Sequence, residues 1–134
     1  MDSTEAENKE TVRRATEAFN RLDRQSFDAC FANPCLYHFP ARSEDRSISY
    51  KAHWELVLGN FRVFPDLEAS IDSLIAEDNR VFVRWSYVGT HLGKGKEGVE
   101  PSGERIDWGI CWVEFRFEDG LIAEAWEICD LAPV

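Results

Sequence analysis

The sequence predicts an α+β domain in which a curved sheet folds over helices supplied by the first half of the chain. Two patterns carry this. Apolar residues recur at helical spacing as far as Phe64, and from Leu67 onward they alternate in runs separated by turn residues. The 134 residues amount to one domain, and 44% hydrophobic with 13% aromatic content supplies a core.

Thr4 and Glu7 have capping-box spacing, and Val12, Ala15, Phe19 and Leu22 then mark one face of a first helix. Asp23 can cap a short second helix carrying Phe27, Cys30 and Phe31, ended by Asn33-Pro34. Residues 35–39 read as a short strand stopped by Pro40, and 41–49 as a polar loop. A third helix places Trp54, Leu58, Phe61 and Phe64 on one face until Pro65-Asp66 breaks it. Strands follow over 67–76, 81–91, 105–117 and 121–131, forming a mostly antiparallel meander. Residues 92–103, rich in Gly, Lys and Glu, form a mobile hairpin loop that could act as a lid, with Lys94, Lys96 and Glu97 as solvated charges. There is no internal repeat and no linker, so 1–134 reads as a single domain.

Fifteen basic residues against 25 acidic ones give a net charge of −10, without the basic stripe that a nucleic-acid partner requires. No apolar run is long enough for a membrane span. The segment before Val12 is polar, so no secretory leader is expected. The four cysteines lack Cys-x-x-Cys spacing, and Cys111 and Cys129 sit in apolar strands where free thiols act as small hydrophobes. The expectation is a cytoplasmic protein with reduced thiols and no metal or cofactor. Three scattered histidines do not make a metal site, and His53 and His91 are placed at the rim.

Strand alternation sorts the side chains into two faces. One holds small residues (Cys111, Val113, Ala125, Cys129) with Arg84, Ser86 and Glu127 as its polar groups. The other holds Trp85, Tyr87, Trp108, Trp112 and Trp126. Small residues suit a concave side enclosing an apolar pocket. The tryptophans would then form an exposed convex patch, and a homodimer through it is expected. The opposite assignment, with tryptophans lining the pocket, stays open, as does a bulge in the long strand that swaps faces part-way.

Phe64-Pro65-Asp66-Leu67, Val83-Arg84-Trp85, Gly89-Thr90-His91, Pro101-Ser102-Gly103, Phe115-Arg116-Phe117-Glu118-Asp119-Gly120 and Ile122-Ala123-Glu124-Ala125-Trp126-Glu127 resemble, in order and spacing, the SnoaL-like polyketide cyclases of the nuclear-transport-factor-2-like superfamily. The resemblance runs from about Asn8 to Asp130. It implies a cone-shaped α+β barrel, three helices packed in the concavity of the sheet, and a hydrophobic small-molecule substrate. One reaction does not follow, because the superfamily includes cyclases, isomerases, epoxide hydrolases and binders.

The cyclases' acid/base Asp falls on Glu127, whereas Val113 replaces their histidine. The ketosteroid isomerases' base and tyrosine positions hold Phe39 and Ala15, so that reading fails. Of the epoxide hydrolases' Asp–Arg–Asp unit, Arg84 and Glu127 match and Ser86 does not; His38 and Leu36 fall at the Asn and Tyr positions.

Glu127 is the principal candidate, because a carboxyl among small apolar neighbours is desolvated and can exchange protons near neutral pH. Arg84 would hold an enolate or carboxylate, or pair structurally with Glu127, and His38 would relay a proton. Trp54, Phe61, Ser86, Cys111 and Val113 are the candidate substrate contacts, with Trp54 and Phe61 equally suited to the core. Three readings result: a cofactor-free cyclase or isomerase of secondary metabolism acting on a bulky apolar carbonyl compound, a non-catalytic ligand binder, and an incomplete epoxide hydrolase.

Overall fold

The computed structural model describes residues 3–95 and 98–134, so Lys96 and Glu97, read above as loop charges, lie outside the described residues. Helix α1 (Ser3–Arg21) is followed by α2 (Arg24–Asp28), β1 (Phe31–Phe39), a 3-10 turn (Pro40–Arg42), β2 (Glu44–Ile48) and α3 (Tyr50–Val63). Strands β3 (Glu68–Glu77), β4 (Arg80–Thr90), β5 (Arg105–Glu118) and β6 (Leu121–Leu131) complete the chain. They form one six-stranded sheet in the order β2-β1-β6-β5-β4-β3. All neighbours are antiparallel except β1 and β6. This is the expected α+β architecture, with three helices against a curled, open sheet.

The caps lie where side-chain chemistry puts them. Asp23 accepts from the Ser26 amide at the start of α2, and Ser49 accepts from Ala52 at the start of α3. Asn20, in the last turn of α1, donates to the Ala69 carbonyl and accepts from its amide, fixing α1 on β3. Two local expectations change. Phe31 opens a strand instead of closing a helix, and β1 therefore runs through the cis Asn33-Pro34 bond. The segment expected as a loop contains β2, whose residues are mostly solvent-facing and so carry no apolar alternation to mark them.

The faces of β4 are reversed from expectation. Val83 pairs with Val113 and Trp85 with Cys111, so Val83, Trp85 and Tyr87 face the concavity. Arg84 pairs with Trp112 and Ser86 with Ile110, which puts Arg84 and Ser86 on the convex side. The anticipated bulge is present in β5, where the register slips between Tyr87 and Val88 and Trp108 is the extra residue. Gly109 sits beside it at φ 142°, where an added Cβ would lie 2.1 Å from the Asp130 carbonyl oxygen. Trp108 thus turns inward, buried against Phe64, and donates to the Ala132 carbonyl. Of the five tryptophans, Trp54 and Trp108 are buried, Trp85 is inward and hydrogen-bonded to Thr16, and Trp112 and Trp126 remain on the outer face.

Candidate functional site

Between α3 and the inner face of the sheet lies an apolar cavity of about 510 Å³, within the range that holds small organic ligands. Its deep wall is aromatic, from Phe27, Phe31, Trp85 and Phe115. Helix α3 presents His53, Leu56, Val57 and Asn60 to it, at the spacing of one helical face. Exposed Arg42, Arg46, Arg62 and Lys94 mark its mouth. The loop after β4 reaches the mouth because the amides of Leu92 and Gly93 donate to the Val63 carbonyl at the end of α3.

Glu127 projects from β6 into this cavity, opposite Val113 in the register. Among the described residues its carboxyl has no hydrogen-bond or ion-pair partner. Burial raises its pKa above the ordinary carboxylate value, opposed only by the positive charge of Arg42. Around it stand three groups that burial keeps uncharged. The Tyr37 and Tyr87 phenols are pushed up by desolvation first, with Cys35 and then Glu127 adding to the effect on Tyr37 and Glu127 alone adding to it on Tyr87. Desolvation brings His53 down to about 4. The Tyr37 hydroxyl lies 3.2 Å from His53 Nε2, whereas Tyr87 has no hydrogen-bond partner among the described residues.

Cys111 and Cys129, paired across β5 and β6, are joined by a disulfide on the cavity wall. The expectation of free thiols at these positions is corrected, and with it goes the support those thiols gave to a cytoplasmic location. Cys30 and Cys35 are free and buried. Among the described residues no cluster of His, Cys, Asp or Glu is placed to hold a metal, and no helix is long and apolar enough to cross a membrane.

The expected site residues separate. Glu127 and Cys111 line the cavity, the latter as half of the disulfide. Val113 is packed in the core beneath the cavity wall. Trp54 and Phe61 belong to the core as well, against Phe27 and Phe19 respectively. Arg84 lies on the outer face with its guanidinium 5.2 Å from the Trp112 ring centroid, and Ser86 there donates to Asp72. His38 is also outside. It bonds Asp45 and Glu124, each at 2.6 Å, stacks on Trp126, and is raised above its ordinary value by those two carboxylates. The expected sharing of one cavity by Glu127, Arg84 and His38 is therefore corrected. Neither His53 nor His91 is a rim residue, since His53 is in the cavity wall and His91 is fully buried against Phe64.

Sequence reasoning missed Tyr37, His53, Tyr87 and Arg42. A signal existed for Tyr37, because Cys35, Tyr37 and Phe39 alternate with Leu36 and His38, and the apolar parity is the inward one. Nothing comparable marks Arg42, which follows Pro40 in the 3-10 turn.

The chain over residues 9–134 matches the family model of the SnoaL-like polyketide cyclases. It belongs to that family. Among solved structures, this SnoaL-like chain is similar to AclR of Streptomyces galilaeus, described as a proposed hydroxylase, at 28% identity and a TM-score of 0.83, over 96% of this chain and 82% of AclR. IdmH of Streptomyces antibioticus, described as a proposed polyketide cyclase, shares the fold at 24% identity and a TM-score of 0.79, over 92% and 91% of the two chains. A SnoaL-like protein of Jannaschia sp. CCS1 does so at 21% identity and a TM-score of 0.81, over 97% and 90%. No curated protein matches the chain in sequence.

Proposed function

We propose that the chain is a cofactor-free cyclase or isomerase acting by acid/base chemistry on a bulky apolar carbonyl compound of polyketide or terpenoid type. One observation carries this: a carboxyl without a partner, raised in pKa by burial, faces an apolar cavity of about 510 Å³. In this reading ionised Glu127 takes a proton from the carbon next to the substrate carbonyl. The electron pair moves onto the carbonyl oxygen, and the Tyr87 hydroxyl donates to the resulting enolate. The enolate carbon then attacks a second carbonyl to close a ring, or is reprotonated elsewhere to complete an isomerisation. Protonated Glu127 returns its proton in either case. Tyr37 and His53, both uncharged, hold the polar edge of the cavity in place.

The test uses 5-nitrobenzisoxazole, a small apolar carbon acid whose ring opens when a base removes its C–H proton. The wild-type protein should open it with a rate that rises with pH as Glu127 ionises, and Glu127→Gln should lose at least a hundredfold. Equal rates in the two proteins would overturn the reading. They would favour a non-catalytic ligand binder, for which the apolar Val113 opposite Glu127 speaks. With Arg84 on the outer face, the carboxylate–arginine unit of an epoxide hydrolase is not assembled around Glu127.

The convex face supports a dimer in the same proposal. Trp112 and Ile128 are cross-strand partners there, 53% and 50% exposed, with Phe82 also exposed and Arg80, Glu114 and Arg116 around them. An apolar centre rimmed by charges of both signs suits contact with a second copy.

A further inference from the structure

We infer that Arg42 forms an anion subsite at the cavity mouth, so that the ligand is an apolar carboxylic acid bound with its carboxylate at the mouth and its body inside. This rests on the cavity being a ligand site, as proposed above, and adds the ligand's charge and orientation.

The first observation is a reversal of sign. The chain carries 25 acidic and 15 basic residues, yet the charged residues lining the cavity are Arg42, Arg46, Arg62 and Lys94 against Glu55 and Glu127. Glu44, Glu55 and Glu100 answer three of these cations, so the unbalanced positive charge at the mouth is one guanidinium on an otherwise acidic protein.

The second observation singles out one cation. Arg46 pairs with Glu44, Arg62 with Glu55 and Lys94 with Glu100, whereas Arg42 has no carboxylate partner among the described residues. Its guanidinium lies 5.5 Å from the centroid of the Phe39 ring, which the paired Arg46 also approaches at 5.7 Å, and Phe39 is itself part of the cavity wall. Stacking on an aromatic face orients the planar group while leaving its N–H donors open. Arg42 is also the cation whose field reaches Glu127.

The geometry selects the ligand. One unpaired guanidinium matches the two oxygens of one carboxylate, in the bidentate arrangement arginine favours. A carboxylate at the Glu127 end would meet a second carboxyl and the aromatic wall. The acid group therefore stays outside and the apolar body fills the space between Phe27, Phe31, Trp85 and Phe115.

Anthracene-2-carboxylate and its methyl ester separate the charge from the apolar body, and calorimetry or quenching of protein fluorescence gives both affinities. The wild-type protein should bind the acid about tenfold more tightly than the ester at low salt. Added salt should shrink that preference. Arg42→Met should abolish it, with the ester affinity and the melting temperature unchanged. Equal binding of acid and ester by wild type, or a preference that survives in Arg42→Met, overturns the subsite and leaves the apolar site standing. Binding of neither compound overturns the ligand site and the subsite together.

Discussion

The hydroxyl of Tyr37 and Nε2 of His53 stand 3.2 Å apart in the cavity wall, and burial holds the imidazole down to about 4. In the unfolded chain the same imidazole titrates near its ordinary 6.5. Between these values the unfolded state binds the extra proton, so stability falls as pH drops from 6.5 toward 4. The full effect is on the order of 3 kcal/mol. The urea midpoint of the wild-type protein should therefore fall more steeply over this window than that of His53→Gln. Parallel curves would show that His53 is not held neutral by the fold.

Glu127 acts with the opposite sign. Its pKa is raised above the ordinary 4.5 by burial, so the stability it contributes is present below 4.5 and is lost as pH rises through the folded value. An amide at this position needs no ionisation. Glu127→Gln should match the wild type near pH 4 and exceed it at pH 8, by about 1.4 kcal/mol for each unit of the shift. Denaturant midpoints at the two pH values measure this. A Gln variant less stable than wild type at pH 8 would mean that the carboxylate has a partner in the fold. The residue proposed to do the chemistry would thus be one that the fold holds at some expense of stability.

The fold was legible because its evidence is periodic: α1, α3, β5 and β6 carry apolar patterns that identify each element without its neighbours. The candidate site was legible only where one strand decides the outcome. Glu127 lies on the inner side of β6 by parity with Ala125 and Cys129, all read within one strand. Arg84 failed because the premise that small residues mark the concave face sets the apolar parity of β4 (Val81, Val83, Trp85, Tyr87) outside and the mixed one (Phe82, Arg84, Ser86, Val88) inside. The register across the Asp78-Asn79 turn and β5 decides this, and it puts Val83 opposite Val113. Trp108 failed for a different reason, since a single bulged residue reverses parity upstream of Gly109. The disulfide depends on the same register, which brings Cys111 opposite Cys129.

Trp112 tests the proposed dimer. It is 53% exposed beside Ile128 and beneath the Arg84 guanidinium, a cost in exposed apolar surface that a second copy would remove. Aromatic residues at the centre of such a patch carry much of the binding energy, typically ~2 kcal/mol or more. Sedimentation equilibrium should give a dimer for the wild type, and Trp112→Glu should weaken association by about a hundredfold without unfolding the chain. A wild-type monomer at high concentration would exclude this surface as an interface.

The Cys111–Cys129 bond closes a loop of 18 residues around the β5–β6 turn. Closing a loop of that length is worth about 3 kcal/mol through the unfolded chain. Reduction, or the double change Cys111→Ala with Cys129→Ala, should lower the melting temperature by about 10 °C. Thiol titration in denaturant provides the control: two reactive thiols, from Cys30 and Cys35, before reduction and four after it. Four thiols before reduction would exclude the bond. The bond lies two residues along β6 from Glu127 on the same face, so its loss should also loosen the wall that holds the carboxyl. Proton abstraction from 5-nitrobenzisoxazole should then fall in the double variant, though less than in Glu127→Gln, since the base itself is still present. An unchanged melting temperature together with the expected thiol counts would mean that the main-chain hydrogen bonds of β5 and β6 hold that wall unaided.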